Sequence, residues 1–278
     1  MLRIRDIGLG EMVFPMEVAF KEGWNPGLYD GAAFYQADPG GFFLAEWGGG
    51  IAGGISVVCY EERLAYIGGH FVLPPFRGKG IGRSLWEWAL TVVGERAAAL
   101  NGLPEGRAFY ESYGFQPAYN VIRYGGEIFG RSCLSGNIRT AQDLAPEDLL
   151  AYDSRFFGWR REKSLRAWLE IPGLESACCV REGELKGWGA MRRCRQGWRL
   201  GPVFADRPEY AEEILCHLGR KTMGEDVLLD LPETNTQAIR LAFSLGMVPH
   251  SARLRLYRGE AAIQPAEGIY AFTSLDIG

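Results

Sequence analysis

The sequence predicts an α/β chain built as two related domains, and three observations carry that prediction. A strand-like run at 66–73 leads into a Gly-rich turn, Arg77-Gly78-Lys79-Gly80-Ile81-Gly82, and then into a helix-periodic stretch. The same plan of strand-like and helix-like segments is read again in the second half. The chain has 278 residues, above the roughly 100–200 usual for one domain, and 47% of them are apolar.

The first strand-like run ends in Pro74-Pro75, which stops it. Beyond the turn, Ile81, Leu85, Trp88, Ala89 and Val92 recur at the spacing of one helix face and are expected to point into the core. A Gly-rich turn between strand and helix aims several backbone N–H groups at one spot, at the positive end of the helix dipole. Arg77 and Lys79 add charge, so the turn suits a pyrophosphate. A Walker A loop needs four residues between its first Gly and a Gly-Lys-Ser/Thr ending, which this turn lacks. A Rossmann loop needs G-x-G-x-x-G early in the chain, whereas Gly78, Gly80 and Gly82 alternate far from the start.

Two copies of the plan align. Residues 42–45, a polar turn at 46–50 and a strand-like 55–60 match 177–180, 181–184 and 187–192. Ile67-Gly68 matches Leu200-Gly201, Phe71 matches Phe204, and Pro75 matches Pro208. Tyr113-Gly114-Phe115 parallels Leu245-Gly246-Met247, and each copy closes on a strand-like run, 120–124 and 252–257. Such self-similarity implies domains at 1–130 and 131–278, with the boundary in the Gly- and Ser-rich 130–136. The copies differ at the turn. Tyr210, Ala211 and Glu213 stand where Arg77, Gly78 and Gly80 do, and Ala242 stands for Tyr110. A carboxylate at Glu213 would repel a pyrophosphate, so the second copy reads as a scaffold stripped of its phosphate loop.

Composition narrows the partners. The formal net charge is −4 with no basic block, which argues against nucleic acid and anionic membrane surfaces. No apolar run approaches the roughly 18 residues of a membrane span, and Met1-Leu2-Arg3-Ile4-Arg5 does not open a signal peptide, so a cytoplasmic protein is expected. Cys59, Cys133, Cys178, Cys179, Cys194 and Cys216 form no C-x-x-C pair, and the histidines His70, His217 and His250 are scattered, so no metal site is expected. Cys178 and Cys179, adjacent in a strand-like run, face opposite ways and read as buried thiols rather than nucleophiles.

The pattern Val72-x-Pro74-x-x-Arg77-Gly78-x-Gly80-x-Gly82 resembles motif A of the GCN5-related N-acetyltransferases, and Ala108-Phe109-Tyr110-Glu111-Ser112-Tyr113-Gly114-Phe115 resembles their motif B. The second half extends the likeness to a bacterial two-domain subgroup with a degenerate second copy. The resemblance implies tandem domains, each a mixed, mostly antiparallel sheet flanked by helices (α+β), and acetyl-coenzyme A as co-substrate. It implies that Arg77, Gly78, Lys79, Gly80, Ile81 and Gly82 hold the pyrophosphate. Phe71 and Val72 would offer backbone hydrogen bonds to the pantetheine arm. Tyr110 would protonate the leaving sulfur, and Tyr113 would pack or touch the coenzyme.

Acyl transfer from a thioester to an amine needs a neutral amine, a stabilised oxyanion and a protonated leaving thiolate. A thiol pKa of about 8.5 makes a weak acid sufficient. His70 is the candidate base, since a reference pKa of about 6.5 suits proton abstraction, although a satisfied, partly buried His is the competing reading. Glu61 and Glu62 could capture a cationic amine or form a solvated turn. Asp230 ends an apolar strand and could face a shared cleft. Asn101 stands where related sequences of the subgroup often carry Asp, which bears on substrate preference. The loop at 23–39, with Trp24-Asn25-Pro26-Gly27-Leu28-Tyr29, could line the acceptor site or pack as an ordinary loop. The leading expectation is N-acetylation of a small-molecule amine, with the second domain walling the acceptor site and a second copy of the chain as a candidate partner. The alternatives are an acyl-coenzyme A sensor without turnover and acetylation of a protein N-terminus or lysine.

Overall fold

Among the described residues, thirteen strands join through hydrogen bonds into one sheet that runs through both halves of the chain. The computed structural model describes residues 1–128, 138–260, 264 and 266–278. The expected boundary at 130–136, and Cys133 with it, lie outside the described residues. The first half contains β1 (Leu2–Asp6), α1 (Val13–Lys21), α2 (Asp30–Ala37), β2 (Phe42–Trp47), β3 (Gly50–Tyr60), β4 (Leu64–Val72), α3 (Ile81–Val93), β5 (Ala97–Gly102), α4 (Arg107–Ser112) and β6 (Gln116–Gly126). The second half contains β7 (Ile138–Arg139), α5 (Pro146–Phe157), α6 (Glu162–Leu169), β8 (Glu175–Arg181), β9 (Glu184–Arg193), β10 (Trp198–Ala205), α7 (Pro208–Gly219), β11 (Val227–Pro232), α8 (Thr236–Ser244), β12 (Val248–Arg258) and β13 (Ile269–Ala271). Among the described residues no helix is long and apolar enough to cross a membrane.

Each half has the expected mixed, mostly antiparallel sheet. Only β4 with β5 and β10 with β11 run parallel among the described strands. Strands read as unbroken apolar runs, such as Phe42-Phe43-Leu44-Ala45, because both faces are buried. Phe43 and Ala45 join a core under α3, while Phe42 and Leu44 join a core shared with Trp168, Trp188 and Phe204 of the second half. Cys178 and Cys179 split the same way, into two different cores. Burial pushes their thiols up to about 12 and about 11, as inert core cysteines should be.

The closing strands of the two halves are exchanged. Strand β12 inserts between β5 and β6, pairing Leu254 with Gly102 on one side and with Asn120 on the other. Strand β6 in turn pairs with β11, Asp230 opposite Arg123. One phase error appears in α3. Trp86 and Val93 are buried there, whereas the expected Trp88 is 39% exposed and Val92 is only partly covered. The stripe Ile81, Leu85, Ala89 and Val93 turns the helix so that Trp86 enters a cluster with Phe109, Tyr110, Tyr113 and Phe115.

The feature that builds the site is a parting of parallel strands. β4 and β5 pair from Leu64↔Ala97 to Ile67↔Leu100 and then separate. β4 stays with β3 through Gly54↔Phe71 and Gly53↔Val72, and β5 stays with β12, so a V opens between them. The second half repeats the parting, since β10 and β11 pair only at Trp198↔Val227 and Arg199↔Leu228. There the V is filled. β13 hydrogen-bonds along β10, with Val203 opposite Ala271, and the Phe272 N–H donates to the Asp230 carbonyl at 2.8 Å.

Candidate active site

A cavity of about 450 Å³ occupies the open V of the first half. At its rim the turn folds as its glycines require. Gly78 and Gly80 have φ of +76° and +80°, a region costly for other residues. A methyl group added at either would meet no atom within 4 Å, so the loop's outer surface is open to a ligand. Gly80 is the N-cap of α3 and no side chain caps it. The first N–H groups of an α-helix have no intrahelical acceptor, so the start of α3 presents uncommitted donors with the dipole behind them. This is a fit for the phosphates that the sequence implies.

The structure places the other expected residues around that loop. Arg77 Nε donates to the Val72 carbonyl at 2.9 Å and Nη2 to Glu22 at 3.1 Å, so Arg77 ties the loop to β4 and to the end of α1. Lys79 is exposed, its ammonium 5.4 Å from the Phe76 ring centre. Ile81 is buried and anchors the helix, while a Cβ on Gly82 would lie 3.3 Å from Val72. Phe71 points to the shared core, against Phe14. His70 points the other way, where its Nε2 is 3.1 Å from the Gly82 carbonyl. A carbonyl can only accept, so Nε2 carries the proton and Nδ1 is the free acceptor. Burial lowers the His70 pKa, against the opposing pull of the Gly82 hydrogen bond, so the ring is neutral near pH 7.

Tyr110 stands on the opposite limb of the V. Its ring lies 5.4 Å from Trp86 and 5.6 Å from Phe109. Burial raises the phenol pKa, an effect partly offset by the Leu103 backbone and by Arg253, so the hydroxyl keeps its proton at neutral pH. Tyr113 packs edge-on to Phe109 and Trp86, at 5.2 and 5.9 Å. Gly102 makes room for Tyr110, since a Cβ there would lie 2.3 Å from its Cε2. Gly102→Ala must therefore displace the ring or β5. Urea denaturation is expected to show a loss of about 1–3 kcal/mol from overpacking.

The floor and far wall are charged. Asp230, 2% exposed, takes both Arg123 Nε at 2.8 Å and Arg123 Nη2 at 3.1 Å, and also pairs with Arg199. Burial alone would raise its pKa, but the two guanidiniums prevail and hold it down at about 2. Both arginines donate to the Trp24 carbonyl at 3.0 Å. The 23–39 loop is thus both packed and cleft-lining, with Trp24 and Pro26 on the cavity wall. The second half straps it down. Leu28 N donates to Arg193 O at 2.9 Å, Asn25 Nδ2 donates to Gln196 O at 2.8 Å, and buried Asp30 pairs with Arg192 at 2.6 Å. Glu61 and Glu62 lie at the other end of β4, exposed, with Arg96 bound to the Glu61 carbonyl and the Glu62 carboxylate, so the solvated-turn reading describes them.

Three groups on the cavity wall were not anticipated: the Arg123–Arg199 pair over Asp230, Arg253 of β12, and residues 274–276. Asn101 explains part of the last. Its Nδ2 donates to Tyr66 Oη at 2.5 Å and to Leu275 O at 3.0 Å, holding the closing segment against β5. A strand-like Ile269-Tyr270-Ala271-Phe272, bounded by Gly268 and Thr273, was the available signal for that segment.

Among its described residues, the second half offers no matching site. α7 begins at Pro208 without a Gly-rich turn, Glu213 is paired with Arg181 at 2.6 Å, and β13 lies in the V.

Comparison with known proteins agrees with this geometry. A model described as an acetyltransferase (GNAT) domain matches residues 38–117, and another of the same description matches 149–271, so together they span most of the chain. A holothin acyltransferase from Pseudoalteromonas sp. (strain SANK 73390) is 26% identical over 94% of this chain and 90% of its own length. Among solved structures, a putative acetyltransferase from Pyrococcus horikoshii superposes with a TM-score of 0.84 at 20% identity, covering 100% of this chain and 96% of that one. A tandem GNAT protein from the clavulanic acid biosynthesis pathway superposes with a TM-score of 0.66 at 16% identity, covering 95% and 100%. Two matched domains, a fold shared with a tandem relative and a phosphate-ready loop at the parted strands make this chain a two-domain acyltransferase of the GCN5-related N-acetyltransferase family.

Proposed function

We propose that the protein transfers an acetyl group from acetyl-coenzyme A to the primary amine of a small molecule, and that it does so at the open V of the first half and not at the filled V of the second. One observation carries this reading: the V between β4 and β5 is open beside an uncapped Gly-rich helix start, whereas the V between β10 and β11 is filled by β13. The loop at 77–82 would hold the pyrophosphate on its backbone N–H groups. The free edge of β4 beyond Ile67, including Phe71 and Val72, would take the pantetheine arm. The acetyl thioester supplies the electrophile. Tyr110 holds a proton on Oη for the leaving sulfur. The strapped Trp24 loop and the Arg123–Asp230–Arg199 cluster wall off a cavity sized for a small acceptor, which supports a small molecule over a protein surface.

Calorimetric titration with acetyl-coenzyme A tests the reading. One site per chain is expected. Gly80→Val should weaken binding by at least about 100-fold, because the new side chain disfavours φ of +80° and keeps the backbone from the phosphates. Two sites would overturn the filled second V, and no site would overturn the coenzyme assignment.

A further inference from the structure

Four carboxylates reach the cavity or its floor, and three are committed. Glu22 is bound by Arg77, Asp30 by Arg192 and the Gly27 N–H, and Asp230 by Arg123 and Arg199. The fourth, Asp276, forms no ion pair among the described residues. Among the described residues, its Oδ1 accepts a long 3.3 Å hydrogen bond from the Gly69 N–H. Gly69 sits just past Ile67, where β4 leaves β5. Asp276 is therefore held on one limb of the V, and Tyr110 on the other.

The placement is built. A Cβ on Gly68 would lie 2.3 Å from the Asp276 carbonyl, so only glycine lets the closing segment approach β4. Asn101 Nδ2 holds the Leu275 carbonyl, Tyr60 Oη donates to the Ile277 carbonyl at 2.5 Å, and the Asp276 N–H donates to Ser274 Oγ at 3.1 Å. Each contact fixes backbone and leaves the carboxylate to the cavity. His70, by contrast, is turned to the Gly82 carbonyl.

We propose that Asp276 is the general base of the acyl transfer and that the acceptor is an amine that arrives as a cation. This rests on the function proposed above. The acceptor ammonium gives one proton to Asp276, and the freed lone pair forms the C–N bond to the acyl carbon. The C–S bond breaks, its electrons leave on sulfur, and sulfur takes the Tyr110 proton. The second nitrogen proton restores Tyr110, and Asp276 sheds its own to solvent. One amide, one thiol and one proton result. Burial raises the Asp276 pKa, with Asp30 adding to the rise, while Arg199, the Gly69 N–H and Arg123 oppose it. Arg253 and the Tyr66 phenol also sense this carboxylate. A raised carboxyl is a stronger base than an ordinary aspartate.

Two nucleophiles test the role by release of coenzyme A thiol: butylamine, a cation at pH 7.5, and hydroxylamine, already neutral there. Asp276→Asn is expected to lose at least about 100-fold in kcat/KM with butylamine and less than about threefold with hydroxylamine. Asp276→Glu, which keeps the carboxylate, should retain activity within about tenfold. Calorimetric coenzyme A binding should be unchanged in both. Equal losses with both nucleophiles, no loss with either, or a wild type that acetylates hydroxylamine but never the cation would each overturn the base. A wild type that binds no coenzyme fails earlier, at the coenzyme assignment, and takes this inference with it. Independently of turnover, a ¹³C-carboxyl NMR titration, assigned by the resonance missing from Asp276→Asn, should place Asp276 above the ordinary aspartate value of about 3.9. An ordinary or lowered midpoint would also overturn it.

Discussion

Tyr110→Phe is expected to lower kcat by about 100-fold or more while leaving acetyl-coenzyme A affinity within a few-fold. The ring itself is structural, wedged between Trp86, Phe109 and the glycines at 102 and 106. Phe keeps those contacts, so the substitution isolates the hydroxyl. The hydroxyl matters only when the thiolate leaves, and an interaction realised only at that stage shows in kcat rather than in binding. The raised phenol pKa keeps the donor protonated, so wild-type activity should show no falling limb until well above neutral pH. A coenzyme sensor without turnover would give the opposite pattern. It would bind tightly, release no acceptor-dependent thiol, and be indifferent to Tyr110→Phe. Steady-state thiol release beside calorimetry on the same two proteins separates the two outcomes.

What was legible in the sequence was local. The alternating Gly78, Gly80 and Gly82 between strand and helix carry their own explanation in backbone conformation, and the loop folds as read. Motif B brought Tyr110 to the cavity because a short helix must follow β5 closely. The phase of α3 was less legible, since Trp86 and Trp88 both suit a helical stripe and only the facing aromatics choose between them. The strand exchange was not legible at all. Runs near 120 and 252 each look like the last strand of their own domain, and periodicity does not say which neighbour a strand will take. Asp276 was missed for the same reason. Its surroundings are assembled by contacts such as Asn101 to Leu275 and Tyr60 to Ile277, far apart in sequence. The stripped second copy makes physical sense in this light. With its V filled by β13, it spends its scaffold on presenting residues 273–278 and on strapping the Trp24 loop, both of which shape the first copy's cavity.

Asp230→Asn is expected to be among the most destabilising single changes in the chain, at about 3–5 kcal/mol in chemical denaturation. The carboxylate is 2% exposed and Arg199 5% exposed, so removing the charge leaves two neighbouring guanidiniums repelling each other out of water. The pair joins β6 of the first half to β10 and β11 of the second, and both arginines also hold the Trp24 carbonyl. The loss should therefore loosen the acceptor wall as well as the fold. The pH dependence follows from the lowered pKa. Asp230 titrates at about 2 when folded, against an ordinary 3.8. Its contribution is complete above the unfolded value and is lost as pH falls through the folded one. Wild-type stability should thus decline by about 2–3 kcal/mol on this group's account between roughly pH 5 and pH 2. The Asn variant, already without the charge, should lack that share of the decline, so the two stability curves should converge in acid. Parallel curves across that range would mean that Asp230 is not the carboxylate holding Arg123 and Arg199, and that the floor of the cavity is compensated from elsewhere.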